Sequence, residues 1–362
     1  MPIDFTPDRW NAVREAYRRW WSGELERPVV AVELVGRDPG RPEPAAPLLS
    51  QANCHRLDVP AEAVIDRLDY ELSRRVYLGD AFPWVSLDAF GPGVLAGVLG
   101  ARLENTTGQV WFLPPAQRPI AEIRFEVDPQ NVWLRRIEDL CAAAAQRWQG
   151  AVLVGMTDLG GNLDVLSTFR PGEQLLLDLY DHPRDVKRLT WEAHRAWHRV
   201  FDEINAVLRP ANPGFTDWAG IFCDEPGYTL QCDFSYMISP AMFDEFARPE
   251  LAATAGRLAR SVYHLDGVGA LPHLDSVLSI GVLDGVQWVP GAGKPDCRHW
   301  PEVYRKIHAA GKRIQVVHPG FEVLDAVVEQ LGTGRGVQQL VWQAPIEREP
   351  EIRRRLKRYA IG

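Results

Sequence analysis

The chain has 362 residues, 46% hydrophobic and 24% charged, an ordinary globular composition with ample apolar material for a large core. Its net charge of −8 argues against non-specific nucleic-acid binding. No apolar run approaches the ~20 residues that a membrane-spanning helix needs, and the N-terminus lacks the basic start and apolar stretch of a signal peptide.

In chain order, Thr6 or Asp8 can cap a first helix over 8–22, with Trp10, Val13, Tyr17 and Trp20 or Trp21 along one side. Residues 27–34 read as a strand, 35–50 as a Pro/Gly-rich loop, 60–77 as a helix and 82–87 as a short strand. Residues 94–128 carry strand-like pieces, including Gln109–Leu113, expected as an elaboration beside the main fold. From residue 129 the alternation becomes regular. Helices over 129–148, 171–180, 183–208, 240–260, 270–279, 300–310, 321–331 and 347–358 separate strands over 151–156, 217–223, 261–265, 284–289, 313–317 and 336–342. This pitch implies parallel βαβ units. With the N-terminal strands it predicts an α/β fold, a (β/α)8 TIM barrel with an N-terminal helical and β elaboration, ahead of a doubly wound open sheet. Residues 1–362 are expected as one domain, with residues 1–128 including the elaboration. The five scattered cysteines (Cys54, Cys141, Cys223, Cys232 and Cys297) form no CxxC pair and predict reduced thiols and a cytoplasmic protein.

In a parallel barrel, chemistry gathers where strands end. Polar residues recur at most of the predicted exits: Asp158, Asp224 with Glu225, His264 with Asp266, Gln287 with Trp288, and His318. The densest is Tyr263-His264-Leu265-Asp266-Gly267. Residues two apart on a strand share a side, so His264 and Asp266 project together, and Gly267 allows an immediate turn. A nitrogen ligand beside a carboxylate suits a metal or acid/base site, and equally a hydrogen-bonded structural pair. Zinc accepts both donors, and His318 would supply a third ligand. Asp224 and Glu225 are read as acid and base, or as a salt bridge and a solvated carboxylate. Asp158 is either a substrate-binding carboxylate or a turn former. Cys232 is read first as a buried small hydrophobe and second as a nucleophile. Trp288 is either a stacking platform or filling for the barrel mouth.

The stretches Leu230–Phe243, Tyr263–Asp275 and Gln287–Gly293, with looser agreement through Phe82-Pro83, Phe90–Gly93 and Val110–Phe112, resemble the uroporphyrinogen decarboxylase superfamily. They are closest to its corrinoid methyltransferase-like branch, often labelled trimethylamine corrinoid protein 2. The resemblance implies a barrel with its pocket at the C-terminal mouth and methyl transfer between a corrinoid and a thiol. It also implies a zinc held by a His-x-Cys pair and a later Cys. Here His264 falls on the histidine, Asp266 on the first cysteine and His318 near the later one. Oxygen and nitrogen donors make a harder site than thiolates, so thiol methylation of the usual kind is not expected. The N-terminal arginine cluster of the true decarboxylases is absent; Arg27, Arg37 and Arg41 are a poor substitute.

The expected function is therefore a methyltransferase-type enzyme. His264, Asp266 and His318 would hold a metal, zinc in the family pattern. His264, Asp266, Asp224 and Glu225 would serve catalysis, and Asp158, Cys232, Tyr263, Gln287 and Trp288 would line the substrate pocket. The partners expected are a small-molecule substrate and a corrinoid carrier protein, with a homodimer left open and neither nucleic acid nor membrane. A metal-independent lyase or decarboxylase and a non-catalytic binding barrel are the alternatives.

Overall fold

Thr6 starts the first helix: its hydroxyl accepts from the Arg9 N–H at 3.3 Å, and Pro7 occupies the first helical turn, where a missing N–H costs nothing. The computed structural model describes residues 3–361. The helix Pro7–Ser22 buries Trp10, Val13, Tyr17, Trp20 and Trp21. Tyr17 and Trp10 meet Phe82 and Phe222 at ring-centroid separations of 5.7–6.2 Å, in edge-on or tilted contacts. This aromatic cluster pins the N-terminal helix to the sheet.

The strands are β1 Val29–Val35, β2 Arg75–Gly79, β3 Trp84–Ser86, β4 Arg102–Glu104, β5 Trp111–Leu113, β6 Leu153–Gly155, β7 Gly227–Gln231, β8 Arg260–Asp266, β9 Gly285–Val289, β10 Arg313–Val316 and β11 Val337–Pro345. Seven of them form one central sheet in the order β2-β1-β11-β10-β9-β8-β7. Every pairing in it is parallel except β1 with β2. β3 and β6 make a separate parallel pair, and β4 and β5 an antiparallel hairpin within the expected elaboration. The fold is thus mixed α/β with a mostly parallel central sheet. Among the described residues no helix is long and apolar enough to cross a membrane. All five cysteines are free and buried.

Three expectations are corrected. The helix over 60–77 ends at Ser73, and Arg75–Gly79 is instead an edge strand antiparallel to β1. The helix over 240–260 is broken: Pro240–Met242 leads into a π-turn, Phe243–Ala247, and then Arg248–Arg257. Pro249 has no N–H to give the preceding turn, and the ladder widens just before it. Residues 217–223 are not a strand. The Asp217 carboxylate accepts the Ala219 N–H at 2.8 Å, Gly220 bonds back to Asp217, and Phe215 closes the loop on Cys223. The apolar residues that suggested a strand are buried for another reason: Ile221 and Phe222 pack into the N-terminal aromatic cluster, and Trp21 donates to the Phe222 carbonyl at 2.9 Å. The strand proper, β7, begins four residues after Cys223.

Because Phe222 joins the N-terminal helix to this loop, Phe222→Ala is expected to cost about 3–5 kcal/mol, the usual range for emptying a buried phenylalanine site. The shift of the urea-unfolding midpoint measures it, and a cost under about 1 kcal/mol would refute the pinning role.

Candidate functional site

Parallel pairing aligns residues of successive strands in layers, and one layer here is polar from β7 to β11. Gln231 of β7 pairs with His264 of β8, His264 with Gln287 of β9, Gln287 with Gln315 of β10, and Gln315 with Gln338 of β11. Side chains in one layer share a face of the sheet. The alternate layer of Leu230, Tyr263, Val286, Ile314 and Val337 faces the other way and is apolar apart from the tyrosine hydroxyl.

The polar layer is wired in one direction. The Gln315 amide nitrogen donates to the Ala219 carbonyl at 2.8 Å. A carbonyl only accepts, so the Gln315 amide oxygen faces Gln287 and accepts from the Gln287 amide nitrogen. The Gln287 oxygen is then the atom that meets His264 Nδ1. Nδ1 must carry the proton, and Nε2 keeps a free lone pair. Burial lowers the His264 pKa, although Gln287 and Asp266 oppose it, so the neutral imidazole is favoured. The edge of Trp218, from the loop after Asp217, meets the His264 ring at 5.1 Å.

Beyond this layer lie the strand ends. Asp233, just past β7, and Asp266, the last residue of β8, converge with His264 so that one ligand atom from each lies within 4.8 Å of the others. Gly267, at φ +77°, turns the chain directly after Asp266. Neither carboxylate has an ion pair with an arginine or lysine among the described residues. Desolvation and then the Asp266 carboxylate push Asp233 up to about 6.

Two further carboxylates sit behind this cluster. Asp164 accepts the backbone N–H groups of Asp233 and Phe234 at 3.0 and 2.7 Å, which ties the loop after β7 to the helix Asn162–Phe169. Burial, and then Asp233, push it up to about 7. Asp158, past the end of β6, is buried and accepts the Gly160 N–H at 2.8 Å; burial pushes it up to about 7 as well. Both glycines of this loop are required by close approach. A Cβ on Gly160 would lie 2.5 Å from Gly93 Cα, and one on Gly161 would lie 2.3 Å from the Gln231 carbonyl oxygen.

The site residues expected from sequence fall into three groups. His264, Asp266 and Gln287 come together, with Gln287 bonded to the histidine and Asp158 at a neighbouring strand exit. His318 is not in the three-ligand group among the described residues; it follows β10, two strands and about 10 Å from β8 by the usual strand spacing, and its Nδ1 lies 2.7 Å from the Pro319 carbonyl. Asp224 and Glu225 follow from the misplaced strand: they precede β7 and share a pocket with Arg18 and Arg260, the first residue of β8. The rise along β8 puts them about 13–20 Å from His264 and Asp266, and Asp224 is bonded to Arg18 at 2.6 Å. Tyr263 and Trp288 point to the opposite face from His264, where Tyr263 packs edge-on against Phe243 and Trp288 against Trp300. Neither lines the His264 side of the sheet. Cys232 is buried, and burial with Asp164 and Asp233 nearby drives its thiol far from ionisation, which removes its case as a nucleophile.

Sequence reasoning missed Asp233, Asp164, Trp218 and Gln315. Asp233 was detectable: with β7 placed at 227–231 it stands two residues beyond the partner of His264, as Asp266 stands two beyond His264 itself. Asp164 lies on a helix and Trp218 in an irregular loop, and no periodicity points to either.

No family model matches the chain, and no curated protein matches it.

Long-range nitrogen–proton NMR on His264 is expected to show the Nδ1–H tautomer in the wild type and a mixed population in Gln315→Leu; an Nε2–H wild type would refute the wiring. Asp158 binds its proton more tightly folded than unfolded, so between its ordinary value of 3.8 and about 7 the folded chain holds the extra proton. Its contribution to stability is present below pH 4 and is lost as pH rises to 7. Asp158→Asn should therefore gain stability relative to wild type across that window and then level off, as read from urea midpoints at stepped pH. A difference independent of pH would contradict it.

Proposed function

We propose that this chain is a (β/α)8-barrel enzyme of the methyltransferase type, related to the uroporphyrinogen decarboxylase superfamily. Its reaction centre is a divalent metal site formed by Asp233, His264 and Asp266. The observation that carries this reading is the convergence of two carboxylates without an arginine or lysine partner on an imidazole whose Nε2 lone pair is kept free. Two like charges at this spacing favour a cation between them, and a hydrogen bond to the second ring nitrogen is the usual way a histidine ligand is oriented. The barrel is supported by the links that continue around the gap in the sheet ladders: Met156 N–H donates to the Thr216 carbonyl at 2.8 Å, and Thr229 N–H to the Asp217 carboxylate.

The donor set fits a hard or borderline divalent ion and does not fit the thiolate set of the thiol-methylating relatives, because no cysteine belongs to the cluster. A metal held there supplies a Lewis acid to an oxygen or nitrogen of a small substrate. Asp233 and Asp266 would contribute oxygen ligands and His264 its Nε2, while Gln287 and Gln315 hold the ring. Asp164 and Asp158 keep protons up to about neutral pH; Asp164 uses both oxygens on the loop that carries Asp233, and Asp158 would be the acid that protonates a leaving group. The methyl group would pass from a methylated small molecule, whose leaving group takes the proton, to the cobalt of a corrinoid carried by a partner protein, or in reverse from a methylated corrinoid to an oxygen or nitrogen of the small substrate, which gives up its proton.

The same geometry favours a second reading, a metal-independent lyase or decarboxylase with His264 and Asp266 as the acid/base pair and Asp158 as a further proton donor. Calorimetric titration of chelator-treated protein with zinc or manganese separates the two. The metal reading expects one ion per chain and at least about tenfold weaker binding in Asp233→Asn and Asp266→Asn, with methyl transfer from methylcobalamin abolished by chelator. No metal uptake by wild-type protein would sink it, and chelator-insensitive turnover with a His264-dependent pH profile would support the lyase.

A further inference from the structure

The loop after β7 opens as a 3₁₀ helix, Asp233–Met237, and the chain after β8 turns through Gly267-Val268-Gly269. Tyr236 of the first loop lies across the second. A Cβ on Gly269 would lie within 2.6 Å of three carbons of the Tyr236 ring, and one on Gly267 would lie 3.2 Å from Tyr236 Cε2. Gly267 is required by its φ of +77°. Gly269 lies outside the left-handed region, so there it is the ring and not the backbone that excludes a side chain. The two loops are joined a second time: His273 Nε2 donates to the Ser235 carbonyl at 2.8 Å, and the His273 ring stacks on Phe243 at 4.7 Å. Asp164 holds the Asp233 and Phe234 N–H groups. The tyrosine thus rests on a backbone floor that is tied at several points, and 56% of it remains exposed.

The ring stands between the two rim carboxylates. In a 3₁₀ helix, side chains three residues apart eclipse one another, so Tyr236 stands over Asp233. On its other side it touches Gly267, the neighbour of Asp266. A half-exposed ring with a fixed seat loses little freedom when a second flat group lies on it, and offset stacking adds to the area buried. Trp288, the platform suggested by sequence, packs on Trp300 on the opposite face of the sheet. We propose that Tyr236 is the stacking platform for the substrate of this centre, and that the substrate has a flat, conjugated or aromatic body. This rests on the reading of Asp233, His264 and Asp266 as a metal centre: the body lies on the open side of the Tyr236 ring, and an oxygen or nitrogen substituent reaches the ion. Gly269 is the position that aims the ring.

The test uses the full-length protein and two neutral probes with one head group, flat benzamide and puckered cyclohexanecarboxamide. Ligand-observed NMR titration gives their affinities for metal-free and zinc-treated protein. Wild-type protein should bind benzamide about three- to tenfold more tightly than its saturated partner, the contribution of one aromatic pair. Tyr236→Phe should keep that preference. Tyr236→Leu should abolish it, and so should Gly269→Ala, which leaves the tyrosine in the chain but lifts its ring from the seat. Equal affinities in wild-type protein, no binding of either probe, or a preference that survives Tyr236→Leu or Gly269→Ala overturns the proposal. The metal reading fails by a different result, absent zinc uptake. A benzamide preference in protein that takes up no zinc supports the platform without the metal, and equal affinities in protein holding one zinc count against the platform alone.

Discussion

The register of the parallel strands is the constraint on which the rest of this structure depends. Pairing β7 through β11 puts Gln231, His264, Gln287, Gln315 and Gln338 side by side on one face. A buried amide that lacks a partner is destabilising, and both amide atoms of Gln338 are left without one, so the layer relies on the bonds among its central members. Three of them bond to one another, and their chain ends on the Ala219 carbonyl, which belongs to no strand. That terminal acceptor orients each amide in turn. A slip of one residue in β8 would replace His264 by Leu265 or Tyr263 and end the chain. The state of the histidine is thereby decided by a backbone atom 45 residues earlier in the sequence, in a loop folded beneath it.

The same register places charge at the strand ends. Asp233 and Asp266 follow the paired residues Gln231 and His264 by two positions each, so parallel strands deliver two carboxylates to one rim. Asp164 braces the loop that carries Asp233 through two backbone N–H groups. Placing several carboxyl groups in partly desolvated surroundings raises their proton affinity, and Asp158, Asp164 and Asp233 all move toward neutrality. Such a rim either accepts a cation or retains protons. Both outcomes suit chemistry on a small polar substrate, and neither resembles the thiolate environment of a thiol-activating centre.

Much of the secondary structure was legible in sequence because its signals are local. The cap at Thr6, the start of the helix at Pro183 and the turn at Gly267 each need only their neighbours. The 217–223 segment was misread because burial has more than one cause. Its apolar residues pack against Trp21 and Tyr17, and an apolar run cannot report which partner buries it. The site followed the same division. His264 and Asp266 were visible as a pair on one strand, whereas His318 was a guess about distance along a sheet whose width sequence does not encode. Asp224 and Glu225 inherited the strand error and moved to the other end of β7. Trp288 and Tyr263 were assigned to the pocket although they alternate with Gln287 and His264, and the period of two already placed them on the opposite face.

The sequence by itself therefore determined an alternating α/β chain, a parallel sheet and a His-x-Asp pair at the end of one strand, because helix and strand periodicities and turn residues act over a few positions. Only the tertiary structure decided which carboxylate joins that pair, which nitrogen of His264 bears the proton, and that the Tyr236 ring rests on Gly267 and Gly269. Each of these depends on atoms from distant segments meeting within contact distance. That is a matter of strand order, register and loop path, which local propensity does not contain.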